Sequence, residues 1–146
     1  MTKQAPTFNL QNTTGEQTTL PEQGIVVLYF YPKANTPGCT KESKAFSELY
    51  PQFIEAGALV FGISPDAHSK VCSFNDKYSF NHELLADPEH EAAEAYGVWG
   101  QKSMFGNKYM GVQRTTFVIK DGKLLKEFKH KPGKTEEEVL EYVKEL

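Results

Sequence analysis

The sequence predicts an α/β domain, a central mixed β-sheet flanked by helices, on three observations. Residues 25–31 and 58–63 are continuous apolar runs, as expected of strands covered on both faces. Between and after them, apolar residues recur at helical spacing, and strands alternating with helices imply a sheet with helices on its faces. The 146 residues hold no internal repeat, low-complexity tract or linker, and this is the length of one ordinary domain, 1–146.

The elements follow in order. Residues 8–10 and 17–20 flank the turn-rich Asn12-Thr13-Thr14-Gly15-Glu16 and predict an N-terminal β-hairpin. The strand at 25–31 stops at Pro32. From Pro37 onward, Phe46, Leu49, Tyr50, Phe53 and Ile54 predict a helix closed by Gly57, which Pro51 should kink or split. After the strand at 58–63, Asp66 is expected to cap a helix with Val71, Phe74 and Tyr78 on one face. Residues 84–86 predict a short strand, and Asp87-Pro88 the opening of another helix that ends at Gly97. Residues 98–113 read as a glycine- and aromatic-containing connection. Residues 115–119 and 124–128 predict strands around the turn Lys120-Asp121-Gly122-Lys123. Thr135 and Glu138 form the pattern of a capping box, opening a last helix with Val139, Leu140, Val143 and Leu146 inward.

Composition excludes several function classes. With 16 Lys+Arg against 19 Asp+Glu the net charge is −3, and nucleic-acid binding needs a concentrated basic surface. The longest apolar run, 25–31, is far short of the ~20 residues that span a bilayer, so no membrane association is expected. The N-terminus lacks the apolar core of a signal peptide, which makes the cytoplasm the expected location. Two cysteines are too few for a disulfide framework, and in a reducing compartment a cysteine is a small hydrophobe, a ligand or a nucleophile.

The chemistry concentrates at the end of the first buried strand, where open α/β folds place their sites. Thr36 is suited to cap the next helix and Pro37 to its first position, which puts Cys39 in the first turn. There, unpaired N–H groups and the helix dipole favour negative charge and hence the reactive thiolate. A small residue in a helix start is the bland alternative.

These residues also carry a resemblance. Pro32-x-x-x-Thr36-x-x-Cys39 resembles the peroxidatic motif of the peroxiredoxins. Phe30-Tyr31-Pro32-Lys33 with Thr36-Pro37-Gly38-Cys39-Thr40 is similar to the bacterioferritin comigratory protein (PrxQ) subfamily. The likeness runs over nearly the whole chain. It takes in Ala5-Pro6-x-Phe8-x-Leu10, Gly62-Ile63-Ser64-x-Asp66, Tyr96-Gly97-Val98-Trp99-Gly100 and Gln113-Arg114-Thr115-Thr116-Phe117, where the family has its active-site arginine.

The resemblance implies a thioredoxin-like fold and the reduction of hydrogen peroxide and organic hydroperoxides, without metal, haem or flavin. Cys39 would attack the terminal peroxide oxygen and become a sulfenic acid, releasing water or an alcohol. Thr36 would donate toward the thiolate and hold the peroxide in line. Arg114 would stabilise the thiolate and the charge growing on the leaving oxygen. Pro32 would shape the loop and keep water from the sulfur. Thioredoxin or another thiol would be the reductant, acting on a monomer or weak dimer.

Resetting departs from the commonest family pattern. Many members carry a resolving cysteine where this chain has Lys44; others carry it on the helix after the second strand, about where Asn75 stands. Cys72 lies one helical turn before Asn75. Two readings stay open. In one, Cys39 and Cys72 form a disulfide, which needs their Cα atoms within about 7 Å and some unwinding of the first turn. In the other, Cys72 is inert and an external thiol resets the enzyme.

A thioredoxin-type disulfide reductase would need a cysteine where Thr36 stands. A catalytically silent thioredoxin-like interaction module would have no need of Cys39, Thr36 and Arg114 together. Residues 128–135 end like a phosphate-binding loop, but Phe128 replaces its first glycine and Pro132 removes an N–H donor. His68 and Cys72 have a metal-sharing spacing without complementary partners, and the four histidines are expected at the surface. Trp99, Phe105 and Tyr109 are expected to anchor their loop.

Overall fold

The computed structural model describes residues 3–131 and 133–146; Pro132, within the loop-like 128–135 segment, and the first two residues of the N-terminus lie outside them. The chain runs β1 (Lys3–Gln4), β2 (Asn9–Asn12), β3 (Gln17–Thr19), β4 (Ile25–Phe30), α1 (Pro37–Glu55), β5 (Ala58–Ser64) and α2 (His68–Tyr78). It continues through β6 (Glu83–Ala86), α3 (Glu91–Ala95), β7 (Trp99–Met104), β8 (Asn107–Val112), β9 (Thr115–Lys120), β10 (Lys123–Lys129) and α4 (Thr135–Lys144).

Eight strands form one mixed sheet in the order β1-β10-β9-β4-β5-β6-β2-β3. The strands β4, β5 and β6 run parallel, while β9 lies antiparallel against the other edge of β4. Side chains alternate across β4 with the two-residue period of a strand. Val26, Leu28 and Phe30 enter one core layer, with Phe8, Tyr96 and Phe117. Val27, Tyr29 and Tyr31 enter the other, with Phe46 and Phe53 of α1, Val71 and Phe74 of α2, and Val139 and Val143 of α4. Both faces are therefore covered, which is why these strands read as unbroken apolar runs.

The helix α1 runs through Pro51 without a break. Proline cannot donate to the carbonyl four residues back, that of Ser47. Asn81 fills the gap: its Nδ2 donates to the Ser47 carbonyl at 2.9 Å, and its backbone N–H donates to Ser47 Oγ at 2.8 Å.

Several local expectations fail for identifiable reasons. Asp66 does not cap α2, whose N-cap is Ala67; its carboxylate instead accepts from the Ala34 N–H at 2.7 Å and from Ser64 Oγ at 3.0 Å. Asp87 opens a turn, and α3 begins only at Glu91, with the Asp87 carboxylate accepting from the Ala93 N–H at 3.0 Å. Thr135 is the first residue of α4; its Oγ1 accepts from the Lys131 N–H at 2.6 Å, so the expected capping box does not form. Residues 98–113 are largely a second sheet, the hairpin of β7 and β8, closed by Phe105 and Gly106 at φ +51° and +83°. Phe105 is 97% exposed at its tip and anchors nothing. Nor are all the histidines at the surface: His82 is buried, with Nε2 2.6 Å from the Tyr29 hydroxyl.

Candidate active site

The loop between β4 and α1 carries the site. Its shape is set by Asp66, reaching from the end of β5 to the Ala34 N–H, and by Asn35, whose φ is +60°. The Asn35 amide oxygen accepts from the Tyr78 hydroxyl at 3.3 Å and from Lys77 Nζ at 3.5 Å, both near the end of α2. Pro32, half-buried, ends the strand that delivers the loop. Thr36 is the N-cap of α1 by its extended backbone, φ −94° and ψ 154°, and Pro37 follows in the first turn. The Thr36 hydroxyl neither caps the helix nor donates to sulfur, because it donates to the Lys33 carbonyl at 2.8 Å. With its proton committed there, Oγ1 presents lone pairs to any other partner.

Cys39 lies in that first turn, fully buried. Arg114 reaches it from the segment between β8 and β9 and donates from Nη2 to Sγ at 2.9 Å. Sequence reasoning paired these two residues through the resemblance; it missed what lets them touch. A Cβ on Gly38 would stand 2.9 Å from Arg114 Nη2, so a larger residue there must push the guanidinium aside.

Glu42 was missed as well. It lies three residues beyond Cys39, on the same side of α1, and is wholly buried. Its Oε1 accepts from Arg114 Nη1 at 3.3 Å, and its Oε2 stands 3.2 Å from Nδ1 of His130, just beyond β10. The latter contact is poorly aligned as a hydrogen bond and counts as an ion pair. The Glu42 carboxylate accordingly raises the His130 pKa above its ordinary value, and burial raises that of Glu136 on α4. Donor atoms of Glu42, His130 and Glu136 lie within 4.8 Å of one another. The Arg114 guanidinium already meets the Glu42 charge and the His130 ring stands against its other oxygen, so the cluster is a chain of paired polar groups rather than a cage for a cation.

Cys72 stands apart from this constellation. Both thiols are free. Cys72 Sγ, half-buried, donates to the Thr13 carbonyl at 3.4 Å and lies 3.5 Å from His68 Nε2, which itself contacts the Asn12 carbonyl at 2.8 Å. Lys44, at the position of the commoner resolving cysteine, lies over the Tyr78 ring at 4.8 Å. Lys33, Lys41, Lys44, Lys70 and Lys77 line two grooves beside the loop, with no carboxylate among the described lining residues. That mouth attracts anions.

The arrangement supplies a buried sulfur, a guanidinium aimed at it and a hydroxyl oxygen free to accept, which suits nucleophilic attack on a small polar substrate. Comparison with known proteins agrees. Residues 1–128 match the AhpC/TSA family. The chain is 42% identical over 130 residues to Peroxiredoxin Bcp of Bacillus subtilis (strain 168), covering 87% of this chain and 83% of that protein. It is 43% identical over 123 residues to Peroxiredoxin Bcp of Escherichia coli (strain K12), covering 82% and 79%. The solved structure of Xanthomonas campestris Peroxiredoxin Q superposes with a TM-score of 0.88 at 34% identity, covering 94% of this chain and 90% of that one. The same organism's Bacterioferritin Comigratory Protein, studied for its alkyl peroxide reduction activity, aligns with the same values. The mixed sheet with its flanking helices is thus the thioredoxin-like fold, and the chain belongs to the AhpC/TSA family, among the peroxiredoxins of the Bcp/PrxQ type.

Proposed function

We propose that this protein is a thiol peroxidase that reduces hydrogen peroxide and organic hydroperoxides at Cys39, acting as a single thioredoxin-like domain over residues 1–146. One observation carries the reading: in a buried site, the Arg114 guanidinium donates directly to the Cys39 sulfur at 2.9 Å. A guanidinium so placed stabilises the thiolate, and its five N–H donors leave others for the incoming peroxide.

The thiolate attacks the terminal oxygen of the hydroperoxide. An S–O bond forms as the O–O bond breaks, the sulfur is oxidised to sulfenic acid, and the leaving alkoxide or hydroxide takes a proton to become alcohol or water. Arg114 opposes the charge developing on the leaving oxygen. Thr36 Oγ1, whose own proton is held by Lys33, accepts the peroxide O–H and so fixes the substrate in line with sulfur. Pro32 closes the loop over the site and limits water.

The sulfenic acid is then reduced by thiols, with water released and a disulfide formed. Cys72 is the internal candidate for the first of these, and the engagement of its sulfur with Thr13 means that α2 or the first turn of α1 must shift before the two sulfurs meet. Thioredoxin or another thiol completes the cycle, with the protein acting in the cytoplasm as a monomer or weak dimer. No helix among the described residues is long and apolar enough to cross a membrane.

Mass measurement under non-reducing conditions, after one equivalent of hydrogen peroxide, tests the scheme. Loss of two hydrogens that disappears in Cys72→Ser identifies the internal bridge. One added oxygen, absent in Cys39→Ser, identifies the one-cysteine cycle. An unchanged mass with peroxide left intact refutes the peroxidase reading.

A further inference from the structure

We propose that His130 is a positioning residue of the peroxide step: its imidazolium holds the second oxygen of Glu42 and so reserves the Arg114 charge for Cys39 and the leaving oxygen. The proposal rests on the peroxidase reading above and extends it to a residue outside the Pro-Thr-Cys-Arg set.

The argument is one of alternating charge. Sulfur, guanidinium, carboxylate and imidazole are joined in a row by contacts of 2.9 Å (Cys39 to Arg114), 3.3 Å (Arg114 to Glu42) and 3.2 Å (Glu42 to His130). Glu42 is wholly buried, so its charge has no water to oppose it. With His130 protonated, two cations face two anions. With His130 neutral, Arg114 alone must serve both Glu42 and the thiolate, and a second anion in a low-dielectric site disfavours the first. The charged groups facing His130 come from three elements: Glu42 from α1, Glu136 from α4, and Arg114 from the entry to β9. Both carboxylates favour the imidazolium and Arg114 opposes it. The backbone fixes the geometry, because the His130 N–H donates to the Arg114 carbonyl at 3.2 Å.

A merely structural His130 would affect stability and nothing else, so the test reads ionisation and rate. In a Cys72→Ser background, the ultraviolet thiolate absorbance of Cys39 and the single-turnover rate with hydrogen peroxide are followed across pH for wild type, His130→Gln and His130→Lys. His130→Gln keeps a donor to Glu42 but no charge. It is expected to need about tenfold less acid than wild type before the thiolate is lost and, at pH values below both transitions, to react about tenfold more slowly, since one pH unit is a factor of ten. The wild-type rate should decline on the alkaline side as His130 deprotonates, and His130→Lys should restore the rate and remove that decline. Superposable titrations and rate profiles for His130→Gln and wild type overturn the proposal. So does a folded His130→Lys that behaves like His130→Gln. The absorbance needs no peroxide, so a wild type that leaves peroxide untouched refutes the peroxidase reading while the titrations still decide the role of His130.

Discussion

His82 gives the most quantitative prediction, an acid lability built into the core beneath the site. The Tyr29 hydroxyl donates to Ser43 Oγ at 2.9 Å, so the neutral imidazole donates from Nε2 to the Tyr29 oxygen and leaves Nδ1 as a bare lone pair. Among the described residues Nδ1 has no partner, and the rings of Phe46, Tyr50 and Phe80 surround it. A proton there would be a buried, unpaired charge, and burial pushes the pKa down to about 3 from the ordinary 6.5. The unfolded chain takes up that proton below about pH 6.5 and the folded chain does not, so stability falls as pH drops through this window and the loss is complete near pH 3. Each pH unit is worth about 1.4 kcal/mol, and the whole window about 5 kcal/mol, comparable to the total stability of many domains.

Replacing His82 with Phe isolates the effect. The lost hydrogen bond and the larger ring cost about 1–3 kcal/mol at neutral pH. Below pH 6.5 the variant is spared the histidine's penalty, so the two stability curves cross between about pH 6 and pH 4. Urea midpoints measured for both proteins at a series of pH values supply the curves. Parallel curves over that range would refute the assignment of a neutral, proton-resisting His82.

Two further outcomes follow from close packing around α1. Gly38→Ala pushes the flexible end of Arg114 away from Cys39; removing one charge-assisted hydrogen bond of about 1.5–3 kcal/mol slows the peroxide step about 10- to 100-fold. Stopped-flow oxidation checks this, and an unaltered rate would contradict the steric account of Gly38. Asn81→Ala strands the Ser47 carbonyl beside Pro51 and lowers stability by about 1–3 kcal/mol, visible as a melting temperature several degrees lower.

How much of the molecule was legible depends on where each residue's partners lie in the chain. The strands β4 and β5 were readable because burial on both faces writes itself as consecutive apolar residues. Cys39 was readable because the dipeptide Thr36-Pro37 marks a helix start, and Arg114 only because a family motif supplied it. The hairpin of β7 and β8 was not: most of its described side chains are exposed, so no apolar face alternates, and a Phe at φ +51° is not a turn signal. Asp66 and Thr135 look like caps in one dimension, but the Asp66 oxygen is taken by Ala34, 32 positions away, and the Thr135 oxygen by Lys131 on its N-terminal side. Glu42 and His82 are polar residues whose burial depends on groups 72 and 53 positions away along the chain, Arg114 and Tyr29. Composition alone sends such residues to the surface.

The clasp of Asn81 on Ser47 anchors α1 midway along its length. From Phe46 onward the helix packs on the sheet through Phe46, Ser47 and Phe53, whereas the turn bearing Cys39 is held by the buried Cys39 side chain itself, the Arg114 fork and the Asn35 contacts of the preceding loop. In the proposed cycle, the excursion that presents the oxidised sulfur to a reducing thiol withdraws Cys39 from the core layer while Phe46 and Phe53 stay in it. Freeing one turn releases roughly 1–2 kcal/mol of backbone entropy per residue, which offsets part of what the broken contacts cost. Unwinding that single turn exposes the sulfur in the proposed cycle while the packing of Phe46 and Phe53 against the sheet is kept.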